Sequence, residues 1–302
     1  MTRNAVIAAV MAVLLVLAVP GHAGSGEGPR VIASFSILGD FVREVAGDHA
    51  RVSNLAPIGA EVHEYELRPS DFMELEKAEA VFYNGLNLEQ WMGQVEATVT
   101  EGVPLVALGE ASGLETLPIV TGEYSGSPDP HLWMDPRRAQ QYVAAIADTL
   151  SEVAPEHEDA YRSNAESFGA RLDSLHEHLE QTLAAIPEEG RTLITSEAAF
   201  LYLADAYGFE HDGIWGTNSE SEGTSRQLMR IIDIIEQRQP QAIFWESTIS
   251  DRYVQSVSGD TGVPIAGPLY VDSLGEPGSG AESYIEMMET NARVLVEALA
   301  NE

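Results

Sequence analysis

Residues 155–186 constrain this chain more than any other stretch. They hold no proline after Pro155, and they set Tyr161, Ala165, Phe168, Leu172, Leu175, Leu179, Leu183 and Ile186 at spacings of three and four. That is the apolar stripe of an amphipathic helix. At about 1.5 Å of rise per residue, a helix over the whole stretch runs for roughly 48 Å, far more than a connection between neighbouring strands requires. A helix of that length belongs between two bodies, lying along both and joining them rigidly.

The flanking sequence supplies the two bodies. Ahead of the stripe, short apolar runs alternate with helical patterns at residues 31–35, 37–45, 52–57, 72–78, 80–83, 88–99 and 104–108. Behind it a second series occupies 192–195, 198–207, 213–215, 224–237, 241–245, 251–258, 264–267 and 281–300. Such alternation implies βαβ units and mostly parallel sheets. The expected fold is therefore α/β: two (β/α) lobes, residues 30–154 and 190–302, joined by one long rigid linker helix over 155–186. Residues 1–23 stand apart and read as a cleavable signal peptide, with Arg3 as the charged start, an apolar run over 5–19 and Gly21-His22-Ala23 as the small-residue cleavage signal. The run is shorter than the roughly 20 residues of a membrane span. The mature protein is expected outside the cytoplasm, in the periplasm or its extracytoplasmic equivalent.

Charge and cysteine content remove several classes of function. With 48 acidic against 16 basic residues the formal charge is -32, a field that repels nucleic acid phosphates and anionic lipid while gathering cations. Nucleic acid is excluded as a partner. Lys77 is the single lysine, and acid excess with so little lysine fits a protein adapted to high salt. The absence of cysteine excludes disulfides, thiolate metal sites, cysteine nucleophiles and lipid attachment through an N-terminal cysteine.

The chemistry left is that of oxygen and nitrogen donors, and parallel sheets present functional loops at the carboxyl ends of their strands. Four positions qualify. His63 lies in the loop Gly59-Ala60-Glu61-Val62-His63-Glu64-Tyr65-Glu66, and His131 in Asp129-Pro130-His131-Leu132-Trp133-Met134-Asp135-Pro136. Glu197 follows the apolar run Leu193-Ile194-Thr195 directly, and Asp272 comes soon after the run at 264–267. Each alone reads as a solvated loop residue. Two from each lobe, at the same end of each lobe, read as donors meeting in one interlobe cleft. The other histidines read as structural or solvated: His176 and His178, two apart on the linker helix, cannot share a face.

These stretches carry a resemblance. From Arg30 to the C-terminus the chain resembles the manganese-, iron- and zinc-binding solute-binding proteins of ABC importers. The matching segments are His63-Glu64-Tyr65-Glu66 with Pro69 and Asp71, Phe82-Tyr83-Asn84-Gly85-Leu86-Asn87-Leu88-Glu89, Pro130-His131-Leu132-Trp133-Met134-Asp135-Pro136, Ser196-Glu197-Ala198-Ala199-Phe200, Glu222-Gly223-Thr224, Glu246-Ser247, Asp251-Arg252 and Val271-Asp272-Ser273. The resemblance implies a metal held by His63, His131, Glu197 and Asp272, with Glu64, Glu66, Glu246 and Arg252 as candidates to orient those ligands. It also implies an ABC permease and its ATPase as partners, and a monomer. Zinc members usually place histidine at the third ligand and carry a His-rich loop before the second, whereas this chain has Glu197 and no histidine between Gly109 and Asp129. Mn²⁺ is the expected metal, with Fe²⁺ and Zn²⁺ as alternatives. The competing class is a metal-dependent hydrolase, and no His-Glu-x-x-His, Gly-x-Ser-x-Gly or P-loop pattern supports it. No catalytic residue is assigned, and Trp133 and Trp215 read as packing around the cleft.

Overall fold

The structure, a computed structural model, describes residues 28–217 and 223–300; the expected signal segment 1–23 lies outside the described residues. The first lobe runs β1 (Arg30–Ala33), α1 (Ser36–Ala46), β2 (Arg51–Asn54), α2 (Pro69–Leu75), β3 (Ala80–Tyr83), α3 (Met92–Thr98), β4 (Leu105–Ala107) and α4 (Leu108–Ala111). Its four strands form one parallel sheet in the order β2-β1-β3-β4. Val31, Ile32 and Ala33 are all buried, the continuous apolar run of a strand covered on both faces, whereas the edge strand β2 alternates between exposed and half-buried residues. The helix α5 (Pro136–Val153) starts where Pro136 presets the first turn and the Asp135 carboxylate accepts the Arg137 N–H.

The long stripe forms α6 (Glu158–Leu183), with Tyr161, Phe168, Leu172, Leu175, Leu179 and Leu183 buried as expected. It is shorter than the stretch that predicts it, at about 39 Å. Residues 155–157 form a tight 3₁₀ turn opened by Pro155. At the far end Ala185 and Ile186 donate to Thr182 and Leu183, three residues back, and Pro187 disfavours helical backbone at the residue before it.

The second lobe follows as β5 (Thr192–Glu197), α7 (Leu201–Tyr207), β6 (Glu210–Trp215), α8 (Ser225–Arg238), β7 (Ile243–Glu246), α9 (Arg252–Thr261), β8 (Ile265–Leu269) and α10 (Tyr284–Leu299). β5 pairs with β6 and β7 with β8, both in parallel, and β5 lies beside β7. Among the described residues no helix is long and apolar enough to cross a membrane.

Among the described residues, two apolar clusters fill the interior. The larger runs without a break from the first sheet through α1, α5, α6 and α10 to the face of α7. Phe41 of α1 marks its centre, touching Tyr142 of α5, Phe168 of α6 and Tyr284 of α10. The last helix thus returns to the first lobe: the Tyr284 N–H donates to Asp40 at 2.9 Å and its hydroxyl to the Trp133 carbonyl at 2.5 Å. The smaller cluster, Ile194, Ile214, Trp215, Ile231, Ile235, Ile243, Val254 and Val257, seals α8 and α9 to the second lobe's strands. An arm of the first lobe, folded back on itself where Asp129 N–H donates to Leu117 and Ile119 N–H to Ser127, reaches across to α7.

Candidate metal centre

Three loops and the end of one strand bring four donors to one point. His63 sits in the connection after β2, where its N–H donates to Glu61 at 2.8 Å and its carbonyl accepts from Gln90. The Trp91 indole donates to the Val62 carbonyl at 2.7 Å, which ties this loop to the start of α3. Ahead of His131, the Asn84 amide donates to the Pro130 carbonyl at 3.0 Å and is itself held by the Tyr142 hydroxyl at 2.6 Å. Glu197 is the last residue of β5, and its N–H donates to the Glu246 carboxylate at the end of β7 at 3.1 Å. Asp272 follows β8, between Val271, whose carbonyl accepts the Trp133 indole N–H, and Ser273, whose hydroxyl accepts the Gly59 N–H across the cleft.

All four side chains are buried, none more than 1% exposed, and one donor atom from each lies within 4.8 Å of the others. His63 Nε2 is 3.5 Å from Glu197 Oε1 and 3.9 Å from Asp272 Oδ2; His131 Nε2 is 3.9 Å from Glu197 Oε1 and 3.6 Å from Asp272 Oδ1. These gaps are too wide for hydrogen bonds, and His131 Nε2 and both Asp272 oxygens make none. They suit donors gathered around an ion about 2.0–2.3 Å from each.

The electrostatics point the same way. Burial holds the His63 imidazole well below its ordinary pKa, and His131 adds to that, so its ring is neutral and able to ligate. Burial pushes Asp272 well above the usual carboxylate range, with Glu61, Glu246 and Asp129 adding repulsion. Glu246 is pushed up to about 8 by burial, although hydrogen-bond donors, the Glu197 N–H among them, oppose the shift. A dry pocket holding this much carboxylate is costly unless a cation compensates it. Two imidazoles and two carboxylates form such a pocket, and bidentate carboxylates can raise the coordination number towards six.

Around the donors the outcome is mixed. Glu246 holds the end of β5 that carries Glu197, but Glu64, Glu66 and Arg252 are exposed, and Arg252 stacks on the neighbouring Tyr253 ring, 4.4 Å from its centroid. Those three do not orient the donors. Their positions beside matching motifs are surface positions, where charged side chains stay solvated. Trp133 and Trp215 are fully buried packing residues. Of the other histidines, His49 stacks on His157, His176 meets the Tyr207 hydroxyl, and buried His211 accepts the Phe200 N–H. His22 lies outside the described residues.

Sequence reasoning passed over Asp129. Its carboxylate accepts the His131 N–H at 3.0 Å and lies 3.2 Å from His131 Nδ1, which fixes the ring with Nε2 turned to the other donors. The Asp-Pro-His order carries a signal for this, since aspartate side chains commonly accept the backbone N–H two residues on.

The family pattern described as ZnuA, zinc-uptake complex component A periplasmic, matches residues 31–298. The manganese-binding lipoprotein MntA of Halalkalibacterium halodurans is 40% identical over 280 residues, covering 93% of this chain and 91% of that protein. The iron-binding protein YfeA of Yersinia pestis is 37% identical over 259 residues, covering 86% and 82%. Among solved structures, the periplasmic zinc binding protein TroA of Treponema pallidum superposes with a TM-score of 0.84 at 28% identity, over 91% of this chain and 100% of that one.

Proposed function

The chain belongs to the ZnuA family of metal-binding solute-binding proteins, and from that premise we propose that it is an exported receptor that captures Mn²⁺ between its lobes and hands it to an ABC permease and its ATPase. The family is one of receptors, not enzymes. The observation that carries the proposal is the convergence of His63, His131, Glu197 and Asp272 from three loops and a strand end into one buried cluster spaced for an ion. These four are the proposed ligands, and the ion is cargo. Relatives named for manganese, iron and zinc surround the chain, so the donor set has to choose among them. Intrinsic affinity favours Zn²⁺ over Mn²⁺ at any such site, and selection therefore comes from geometry and availability. Glu197 in place of a third imidazole supports Mn²⁺, which accepts six oxygen-rich donors where Zn²⁺ prefers four.

The lobes are assigned as 30–154 and 190–302 with 155–186 as the linker, α10 returning to pack on the first lobe. The continuous core supports small lobe movements, so the radius of gyration should differ little between apo and loaded protein. Residues 1–23 are assigned as the export signal and the mature protein as a monomer in the periplasm or its extracytoplasmic equivalent. The word lipoprotein in the relative's name does not carry over, because a chain without cysteine offers no thiol for a lipid anchor.

Metal analysis of protein purified without chelator, followed by calorimetric titration of the stripped form with Mn²⁺, Fe²⁺ and Zn²⁺, tests the assignment. In Glu197→His the Mn²⁺ affinity should fall while Zn²⁺ affinity is kept or improved, and Asp272→Ala should weaken both. An unchanged Mn²⁺ to Zn²⁺ ratio in Glu197→His would remove the manganese reading.

A further inference from the structure

Building on the metal-receptor reading, we propose that Tyr202 is a positioning residue that couples the first-lobe ligand His131 to the second-lobe ligand Glu197, so that the two are gained and lost together. Tyr202 lies on α7 and is fully buried. Its hydroxyl donates to the Asp129 carbonyl at 2.8 Å and accepts the Leu117 N–H at 3.1 Å, which clasps both ends of the first-lobe arm where Asp129 and Leu117 pair with each other. The guanidinium of Arg138, 4.8 Å from the ring centroid, covers the tyrosine from the first-lobe side.

The two consequences of this hydroxyl run in opposite directions along the chain. Towards the arm, it fixes the backbone of Asp129, whose carboxylate holds both the His131 N–H and Nδ1. Towards its own strand, it belongs to the helix that begins just after Ser196-Glu197-Ala198-Ala199-Phe200, so α7 moves as a continuation of β5. A displacement of β5 that withdraws Glu197 from the ion therefore also pulls on Asp129 and turns the His131 ring. Conversely, an ion that seats His131 and Glu197 draws the arm and α7 together. A phenol is suited to this task because one oxygen both donates and accepts, and burial leaves no water to replace either bond. The arm is close to the second lobe elsewhere too: a methyl group on Gly216, next to the end of β6, would meet the Thr121 carbonyl oxygen.

The test compares wild type, Tyr202→Phe, Asp129→Asn and the double variant, each stripped of metal and titrated with MnCl₂. Tyr207→Phe, which removes a hydroxyl from the same helix but one that faces His176, is the control. Removing groups that orient metal ligands typically costs about 10- to 100-fold in affinity, so Tyr202→Phe should weaken Mn²⁺ binding about tenfold and raise its dissociation rate. Tyr207→Phe should bind as wild type does. In the Asp129→Asn background, Tyr202→Phe should have little further effect, because both act through His131. Co²⁺ loaded to saturation gives a readout that mere loss of stability leaves alone: its visible absorption bands should shift in Tyr202→Phe as the imidazole turns, and stay unchanged in Tyr207→Phe. Wild-type Mn²⁺ affinity in Tyr202→Phe, an equal loss in Tyr207→Phe, or a loss undiminished by Asp129→Asn would each overturn the coupling while leaving the metal-receptor reading intact. Failure of the wild type to take up Mn²⁺ would overturn that reading, and the coupling with it.

Discussion

A single added methyl group at Gly213 should disturb the metal centre without altering any of the four donor side chains. Gly213 stands in β6 opposite Thr195 of β5, and a Cβ there would fall 2.7 Å from the carbonyl carbon of Glu197 and 2.7 Å from the Trp215 oxygen, with the Ala198 nitrogen nearer still. All three are backbone atoms, so no side chain can rotate out of the way. Restoring an ordinary 3.4 Å contact with the Ala198 nitrogen, which the Cβ would meet most closely, means moving the end of β5 by about 1 Å. Metal–ligand distances tolerate only about 0.2 Å, so Glu197, as a proposed ligand, would have its carboxylate carried out of bonding position. Overpacking of this kind costs about 1–3 kcal/mol of stability. A misplaced donor should cost about 10- to 100-fold in affinity, or about 1.4–2.7 kcal/mol. Calorimetric titration of stripped Gly213→Ala with MnCl₂ measures the second quantity, and thermal melts of the apo protein the first. A Gly213→Ala protein that melts and binds like wild type would refute the reasoning, because β6 would then have room that the backbone distances deny it.

Gly169→Ala gives the opposite sign: the position lies inside α6 with open space where the methyl would go, so it should gain about 0.5–1 kcal/mol and roughly 1–4 °C in apo melting temperature, with Mn²⁺ affinity unchanged. Apo melts in KCl from about 0.1 M to about 1 M should rise steadily, as the Debye length shrinks from about 10 Å to about 3 Å and screens the -32 charge; a flat or falling series would count against the high-salt reading. Asp40, whose carboxyl is raised by burial, binds a proton more readily folded than unfolded, so its contribution to stability is greatest below the ordinary carboxylate pKa and declines as pH rises to the raised folded value. Asp40→Asn keeps an acceptor for the Tyr284 N–H and removes that decline, so its melting temperature relative to wild type should improve from about pH 4 to about pH 7; a constant difference would show that Asp40 ionises as freely as in the unfolded chain.

Much of this architecture is written in local pattern. The three-and-four spacing from Tyr161 to Leu183 is enough to announce α6, because a buried helix face needs apolar residues at that period whatever it packs against. The four proposed ligands stand out for a related reason: Glu197 ends a strand, His63 and Asp272 lie in the loops beyond strands, and His131 lies in the long connection beyond α4, where side chains are free to face a cleft. What local pattern does not carry is contact between distant segments. Nothing in the sequence near Tyr284 says that its N–H meets Asp40, nor does anything near Tyr202 say that its hydroxyl meets residues 117 and 129. Glu64 and Glu66 failed as ligand-orienting residues for the converse reason. Adjacency to His63 in sequence put them in the same loop but on its solvated side.

The division of the interior into two clusters has a consequence for which parts of the molecule can come apart independently. Every proposed ligand has neighbours in the larger cluster: Val62 beside His63, Leu132 and Trp133 after His131, Ala199 and Phe200 after Glu197, Val271 and Leu274 around Asp272. The layer formed by α8 and α9 belongs to the smaller one. Cooperative unfolding units follow buried contacts, not the outline of lobes. The α8–α9 layer can therefore exchange its amide protons through openings that leave the ion bound, and metal loading should slow exchange through α1, α5, α6, α7 and α10 while altering that layer much less. On this account the receptor is one rigid ion-holding body, assembled from both halves of the chain, that carries a separately breathing flank.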